Sequence, residues 1–160
     1  MEQKHGEYLV SDEPGLLDAV AIHAYLSRSY WSENIPLATV RHALEASLCI
    51  GTYGPDGKQV GLMRIITDHA TFAYLCDVYV LEEHRRRGLS KAMLALVMRH
   101  PRLQGLRSWN LRTRDAHGLY AQFGFKPVDH PESYMILRFP DVYGPPRKVI
   151  PGLPATPLGA

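Results

Sequence analysis

Cys76-Asp77-Val78-Tyr79-Val80-Leu81-Glu82-Glu83-His84-Arg85-Arg86-Arg87-Gly88-Leu89-Ser90-Lys91-Ala92-Met93-Leu94 is the stretch from which the rest of the chain can be read. An apolar, β-branched run leads into a short polar turn that ends in three arginines and a glycine. A helical pattern follows, with Leu89, Met93, Leu96 and Val97 as its apolar residues. The first turn of a helix leaves backbone N–H groups unpaired at the positive end of its dipole. A strand feeding a basic, glycine-marked turn at a helix start therefore makes an anion site, and predicts a phosphate-bearing ligand.

Within that site the residues divide the work. Gly88 has no Cβ, so backbone can approach a bulky phosphate, while Arg85, Arg86 and Arg87 supply charge-assisted donors. An arginine run by itself reads equally as a solvated basic turn. The order strand, turn, helix favours the anion site, because a surface charge run has no need to respect it.

The run Arg85-Arg86-Arg87-Gly88-Leu89-Ser90 resembles the R/Q-x-x-G-x-G/A motif of the GNAT superfamily of N-acetyltransferases, and Tyr120-Ala121-Gln122-Phe123-Gly124-Phe125 resembles that superfamily's downstream Y-x-x-x-G-F motif. The two lie in the expected order, separated by a helix and a strand. Ser90 stands where Gly or Ala is usual and adds a hydroxyl, and Thr113 stands where many members carry an Asn seven residues before the tyrosine. The resemblance in element order covers residues 7 to 140.

The resemblance implies acetyl-CoA as cofactor, a single-domain α/β fold with a mixed, mostly antiparallel sheet splayed at its central strands, and transfer of an acetyl group to an amine. It places Val78, Tyr79 and Val80 against the pantetheine arm, and Arg85, Arg86, Arg87, Gly88, Leu89, Ser90 and Lys91 around the phosphates. It gives Tyr120 the role of acid for the departing thiolate. A phenol suits that task because its ordinary pKa of about 10 keeps it protonated at neutral pH; on residue type alone, a packing tyrosine before a Gly-Phe turn is the stronger reading.

Asp77 is the odd residue of its strand. Strict alternation puts it on one face with Leu75 and Tyr79, where a carboxylate must find partners or shift its pKa. Two readings follow: a general base for the incoming ammonium, or a carboxylate satisfied by Arg64. Tyr30, Trp31, Arg64 and Asp68 are the candidates for the acceptor pocket. His117 is read as a surface histidine.

Composition bounds what remains. A chain of 160 residues with 46% hydrophobic content is one ordinary domain. The 18 basic and 16 acidic residues nearly balance, and no aromatic residues interleave with the arginine run, which disfavours nucleic acid as a partner. Two cysteines without C-x-x-C spacing and no signal peptide predict a reduced, cytoplasmic protein, and no apolar run approaches the length of a membrane span. The eight histidines show no helical metal-site spacing, so no metal is expected.

Along the chain the pattern predicts a first strand over residues 7 to 11. A helix starting near Asp12, Glu13 and Pro14 carries Leu16, Leu17, Val20, Ala21 and Ala24 on one stripe, and a second helix from Pro36 carries Leu37, Val40 and Leu44. A hairpin joins residues 48–53 and 59–67, followed by a central strand at 72–80, the helix at 89–99 and a strand at 107–113. A helix capped by Asp115 and a last strand at 134–139 complete the order. The GNAT-like domain takes residues 1–140, and residues 141–160, rich in proline, form an extended or disordered tail. A homodimer is possible. The competing class is an acyl-CoA-binding module without turnover.

Overall fold

The computed structural model describes residues 1–139 and 142–144. Six strands form one sheet in sequence order: β1 (Glu2–His5), β2 (Tyr8–Ser11), β3 (Leu48–Tyr53), β4 (Gln59–Thr67), β5 (Phe72–Val80) and β6 (Ser108–Leu111). All neighbours are antiparallel except β5 and β6, which are parallel. Four helices accompany them: α1 (Ala19–Leu26), α2 (Leu37–Glu45), α3 (Leu89–Met98) and α4 (His117–Ala121). This is the single α/β domain with a mixed, mostly antiparallel sheet expected above.

Each sheet face buries its own core, as a two-sided sheet must. On one face α3 lays Met93, Leu94, Leu96 and Val97 against Val10, Ile50, Ile65 and Leu75, with Tyr120 of α4 at the margin. On the other, Ile22 and Leu26 of α1 and Val40 and Leu44 of α2 cover Cys49, Leu62 and Tyr79, joined by Tyr143.

Strand β5 pairs with β6 only from Phe72 to Leu75, opposite Ser108 to Leu111. Beyond Leu75 its partners lie on the β4 side alone. The splay leaves backbone of residues 76–80 facing a cleft, and α3 starts nearby because the chain turns straight out of Val80.

Several expectations are corrected. The first strand is the second half of a hairpin, whose polar partner Glu2–His5 carries no apolar alternation to reveal it. Helix α1 begins only at Ala19: Pro14–Leu16 makes a separate 3-10 turn, and the Asp18 carboxylate caps the helix by accepting from the amides of Val20 and Ala21. The buried stripe is accordingly Ile22 and Leu26, while Leu16 and Val20 are exposed. Strand β5 lies fifth of six, not at the sheet centre. Asp115 does not cap α4; the Thr113 hydroxyl accepts from the Ala116 amide instead. Residues 134–139 form no strand, and the ladder there is empty. Of the proline-rich segment, residues 140, 141 and 145–160 lie outside the described residues.

Candidate active site

The turn between β5 and α3 is held in place before any ligand is considered. Arg86 and Gly88 both adopt left-handed backbone, with φ of 60° and 76°. Gly88 is the N-cap of α3 and offers no side chain to its first-turn amides, which leaves those N–H groups for an external acceptor. From the other edge of the sheet, His5 Nε2 donates to the Arg87 carbonyl at 2.8 Å, and the Tyr8 hydroxyl is hydrogen-bonded to His84 Nδ1 at 3.0 Å. A Cβ on Gly88 would stand 3.1 Å from His5 Nε2.

The three arginines do different things. Arg85 Nε donates to the Val80 carbonyl at 3.0 Å, and its Nη2 reaches the Tyr25 hydroxyl and Glu82, so its guanidinium ties the turn to β5 and α1. Arg87 lies over the Tyr8 ring and 3.8 Å from Glu7. Arg86 is exposed at the mouth of a cavity of about 440 Å³, lined also by Arg85 and by Val80, His84, Gly88, Leu89, Ser90, Lys91 and Leu119. The cavity thus runs from the open end of β5, past the uncapped start of α3, to α4. Among the expected contacts, the Val80 carbonyl is already taken by Arg85, and Tyr79 is buried against Tyr25, ring on ring at 3.9 Å, so its side chain faces away from the cavity.

Asp77 departs most from the expected pattern. Leu62 pairs with Tyr79 and Arg64 with Cys76, so Asp77 and Val78 together oppose Met63 in a β-bulge. Asp77 has a φ of 49°, left-handed backbone that only a few residue types tolerate. The extra residue breaks the alternation: Leu75 packs on the α3 face and Tyr79 on the α1 and α2 face, not together. The carboxylate is held from two sides. Arg64 Nε donates to Oδ2 at 2.7 Å, and Trp31 Nε1 donates to Oδ1 at 3.1 Å. Arg64 in turn donates to the Ser47 hydroxyl. Of the two readings for Asp77, the geometry is that of the Arg64 pair.

Trp31, Arg64 and Asp77 therefore meet, and Tyr30 stands edge-on to Trp31 at 4.9 Å, beneath the Arg114 guanidinium at 3.9 Å. Burial pushes the Tyr120 phenol up to about 12, with the charges of Tyr30 and Asp115 adding to the effect. Asp68 is not brought to this group. It sits in the turn between β4 and β5, where its oxygens accept from the amides of Ala70, Thr71 and Phe72 and from the Thr71 hydroxyl. Those bonds hold it well below the ordinary carboxylate range, as befits a turn residue.

Burial pushes both the Cys49 and Cys76 thiols up to about 12, so neither is a thiolate near neutral pH. Among the described residues there is no group of three metal-ligating side chains, and no helix is long and apolar enough to cross a membrane. The site residues missed in the sequence are His5, Tyr8 and Tyr25, which brace the turn, and Arg114. None has a local signal, since each acts across 60 residues or more of chain or through a neighbour's ring.

Comparison with known proteins gives consistent results. Residues 47–127 match the family model described as acetyltransferase (GNAT) domain. A curated Gibberella zeae protein whose name carries a provisional acetyltransferase assignment is 38% identical over 139 residues, covering 73% of this chain and 77% of that one. A crystal structure from Xanthomonas campestris pv. campestris, a provisional acetyltransferase of the GNAT family, superposes with a TM-score of 0.83 at 51% identity, covering 86% of this chain and 97% of that one. At 20% identity the fold is also that of Mycobacterium tuberculosis Rv2747, solved in complex with CoA and NLQ, with a TM-score of 0.60 over 75% of this chain and 72% of that one.

Proposed function

Because the chain belongs to the GNAT family of acetyltransferases, we propose that it moves an acetyl group from acetyl-CoA directly to an amine, on a small molecule or an exposed amino group, with Tyr120 as the acid. The observation that carries the reading is the continuous cavity joining the uncapped N-terminus of α3 to the open end of β5 and to α4. Its parts fit the cofactor: first-turn amides and the exposed cations Arg86 and Lys91 suit a pyrophosphate, and the side of β5 that β6 leaves open beyond Leu75 suits the amide groups of an extended pantetheine.

When bound, acetyl-CoA supplies the activated carbonyl that an amine attacks. The chain's own residues then have three tasks. Tyr120, protonated throughout the physiological range, can hand a proton to the leaving sulfur. Asp77 is fixed by Arg64 and Trp31, yet each carboxylate oxygen keeps a lone pair through which an ammonium or a water can be oriented. Tyr30 and Trp31 wall the acceptor side with aromatic faces, which favour a cationic amine before it loses its proton. A route through a cysteine acyl-enzyme is disfavoured, because both thiols are held neutral.

The test is turnover: release of free thiol from acetyl-CoA, measured against a panel of amines spanning polyamines, amino acids, aminoglycosides and peptide N-termini. Saturable release with one class supports the reading. Tight CoA binding without release on any of them supports an acyl-CoA-binding module instead.

A further inference from the structure

The acceptor side of the site holds two aromatic residues that the core does not claim. Tyr30 is 56% exposed and Trp31 41%, yet the turn that presents them is tied down. Ser29 and Ser32, both buried, flank the pair: the Ser29 hydroxyl donates to the Leu26 carbonyl at 2.7 Å and bonds to the Ser32 hydroxyl at 2.8 Å. Trp31 is fixed further through its indole N–H on Asp77. Large aromatic faces held in water by a fixed frame make a binding surface, since a packing role would have buried them.

The charges around that surface are not those a polycation would seek. Asp77, bonded to Trp31, is already balanced by its ion pair with Arg64 at 2.7 Å. At the other end of the pair, Arg114 lies over the Tyr30 ring at 3.9 Å, on a loop that the Thr113 hydroxyl pins by accepting from the Ala116 amide. Arg112 follows directly on β6, and Asp115 is the single acid set against these two arginines in the Arg112–Ala116 stretch. Among the described residues neither guanidinium is ion-paired with a carboxylate. Arg114 is therefore a cation held in place over an aromatic face with its fork of donors unused.

We propose that the acceptor is a small amine that also carries a carboxylate, of the amino-acid type, with its carboxylate on Arg114 beside Tyr30 and its amine towards Asp77. The inference rests on the acetyl-transfer reading and narrows its acceptor. Asp77 and Arg114 stand at opposite ends of the edge-on Trp31 and Tyr30 pair, so the two charges of such an acceptor are recognised separately. Trp31 keeps its face for the ammonium end, while that of Tyr30 is already taken by Arg114. Arg112 adds its charge at longer range. A polyamine would meet both arginines with like charge, and an uncharged amine would leave the Arg114 fork unmatched.

Matched acceptors test it: amino acids against their own amides, which lack only the carboxylate charge, and a linear polyamine, each assayed with the full chain for thiol release from acetyl-CoA. Losing that charge makes the amide's amine easier to deprotonate, which biases the comparison against the proposal. The preferred amino acid should still exceed its amide by about tenfold or more in kcat/KM, with the difference in KM. Arg114→Gln should remove most of that preference, and Arg114→Lys, which keeps the charge without the fork, should restore part of it. Arg114 is exposed, so both variants should melt as the wild type does. Preference for the amides or the polyamine would overturn the proposal and leave acetyl transfer standing, as would a carboxylate preference that Arg114→Gln does not change. CoA binding without turnover on any of these amines would overturn the acetyl-transfer reading, and this inference with it.

Discussion

Tyr120 and Asp77 differ in what their surroundings let them do. The Tyr120 hydroxyl makes no hydrogen bond among the described residues, and burial has raised its pKa to about 12. Tyr120→Phe keeps the ring and its edge-on contact with Phe125, so folding should be unaffected and CoA affinity retained. Loss of a positioned acid should lower kcat by about 10²- to 10⁴-fold; an unchanged kcat with chemistry limiting would make the tyrosine structural. Because that phenol ionises only near pH 12, any fall in rate between pH 8 and about 10 belongs to another group. Asp77 already spends both oxygens on Arg64 and Trp31. Asp77→Asn preserves the shape and suits left-handed backbone, but leaves Arg64 without its counter-charge. The amine KM should rise, with kcat changed by less than about tenfold. A kcat loss of about 10² or more at constant KM would identify Asp77 as the base itself.

At the level of elements, the proposed function rests on a helix whose first turn has no side-chain cap and a strand that loses its neighbour halfway. Gly88 serves the first in two ways: its φ of 76° is costly for any residue with a Cβ, and the space beside it is filled by His5. Gly88→Asp would strain the turn, push His5 off the Arg87 carbonyl and set a carboxylate where phosphate is expected. Titration calorimetry should register a loss of at least about 2 kcal/mol in CoA affinity, and equal affinity would move the phosphate site elsewhere. The bulge at Asp77 serves the second. One extra residue in β5 turns the carboxylate out of register with Leu75 and towards Trp31, at a cost in backbone strain of order 1 kcal/mol that the Arg64 and Trp31 bonds offset.

Across the whole molecule, the start of the chain is tied to the end of α3 through Asp12, which accepts from buried His100 at 2.9 Å and from the N-terminal ammonium. Burial pushes the Asp12 carboxyl up, and the hydrogen bonds and charges of those two partners more than reverse this, leaving it below its ordinary value of 3.8. A carboxylate with a depressed pKa stabilises the fold above pH 3.8 and loses that contribution as the pH falls through its folded value. Asp12→Asn should therefore lower stability near neutrality by roughly 1–3 kcal/mol. The melting curves of the two proteins should converge in acid. A constant difference at every pH would mean that the effect is packing and not charge.

How much of this was legible in the sequence depends on range. Strands β3, β4 and β5, helices α2 and α3, and the glycine at the start of α3 are local consequences of period, turn chemistry and caps, so the chain alone determined them. The start of helix α1 escaped because Pro14 and Gly15 make a turn that still carries leucines, and β1 because an edge strand needs no apolar face. Only the tertiary structure decided how the arginine run is held, since Arg85 Nη2 donates to the Tyr25 hydroxyl, 60 residues away, and the Arg87 carbonyl accepts from His5, 82 residues away. It also decided the partner of Asp77: a bulge is a property of two strands in register, and no alternation within one strand can announce the extra residue that its neighbour lacks.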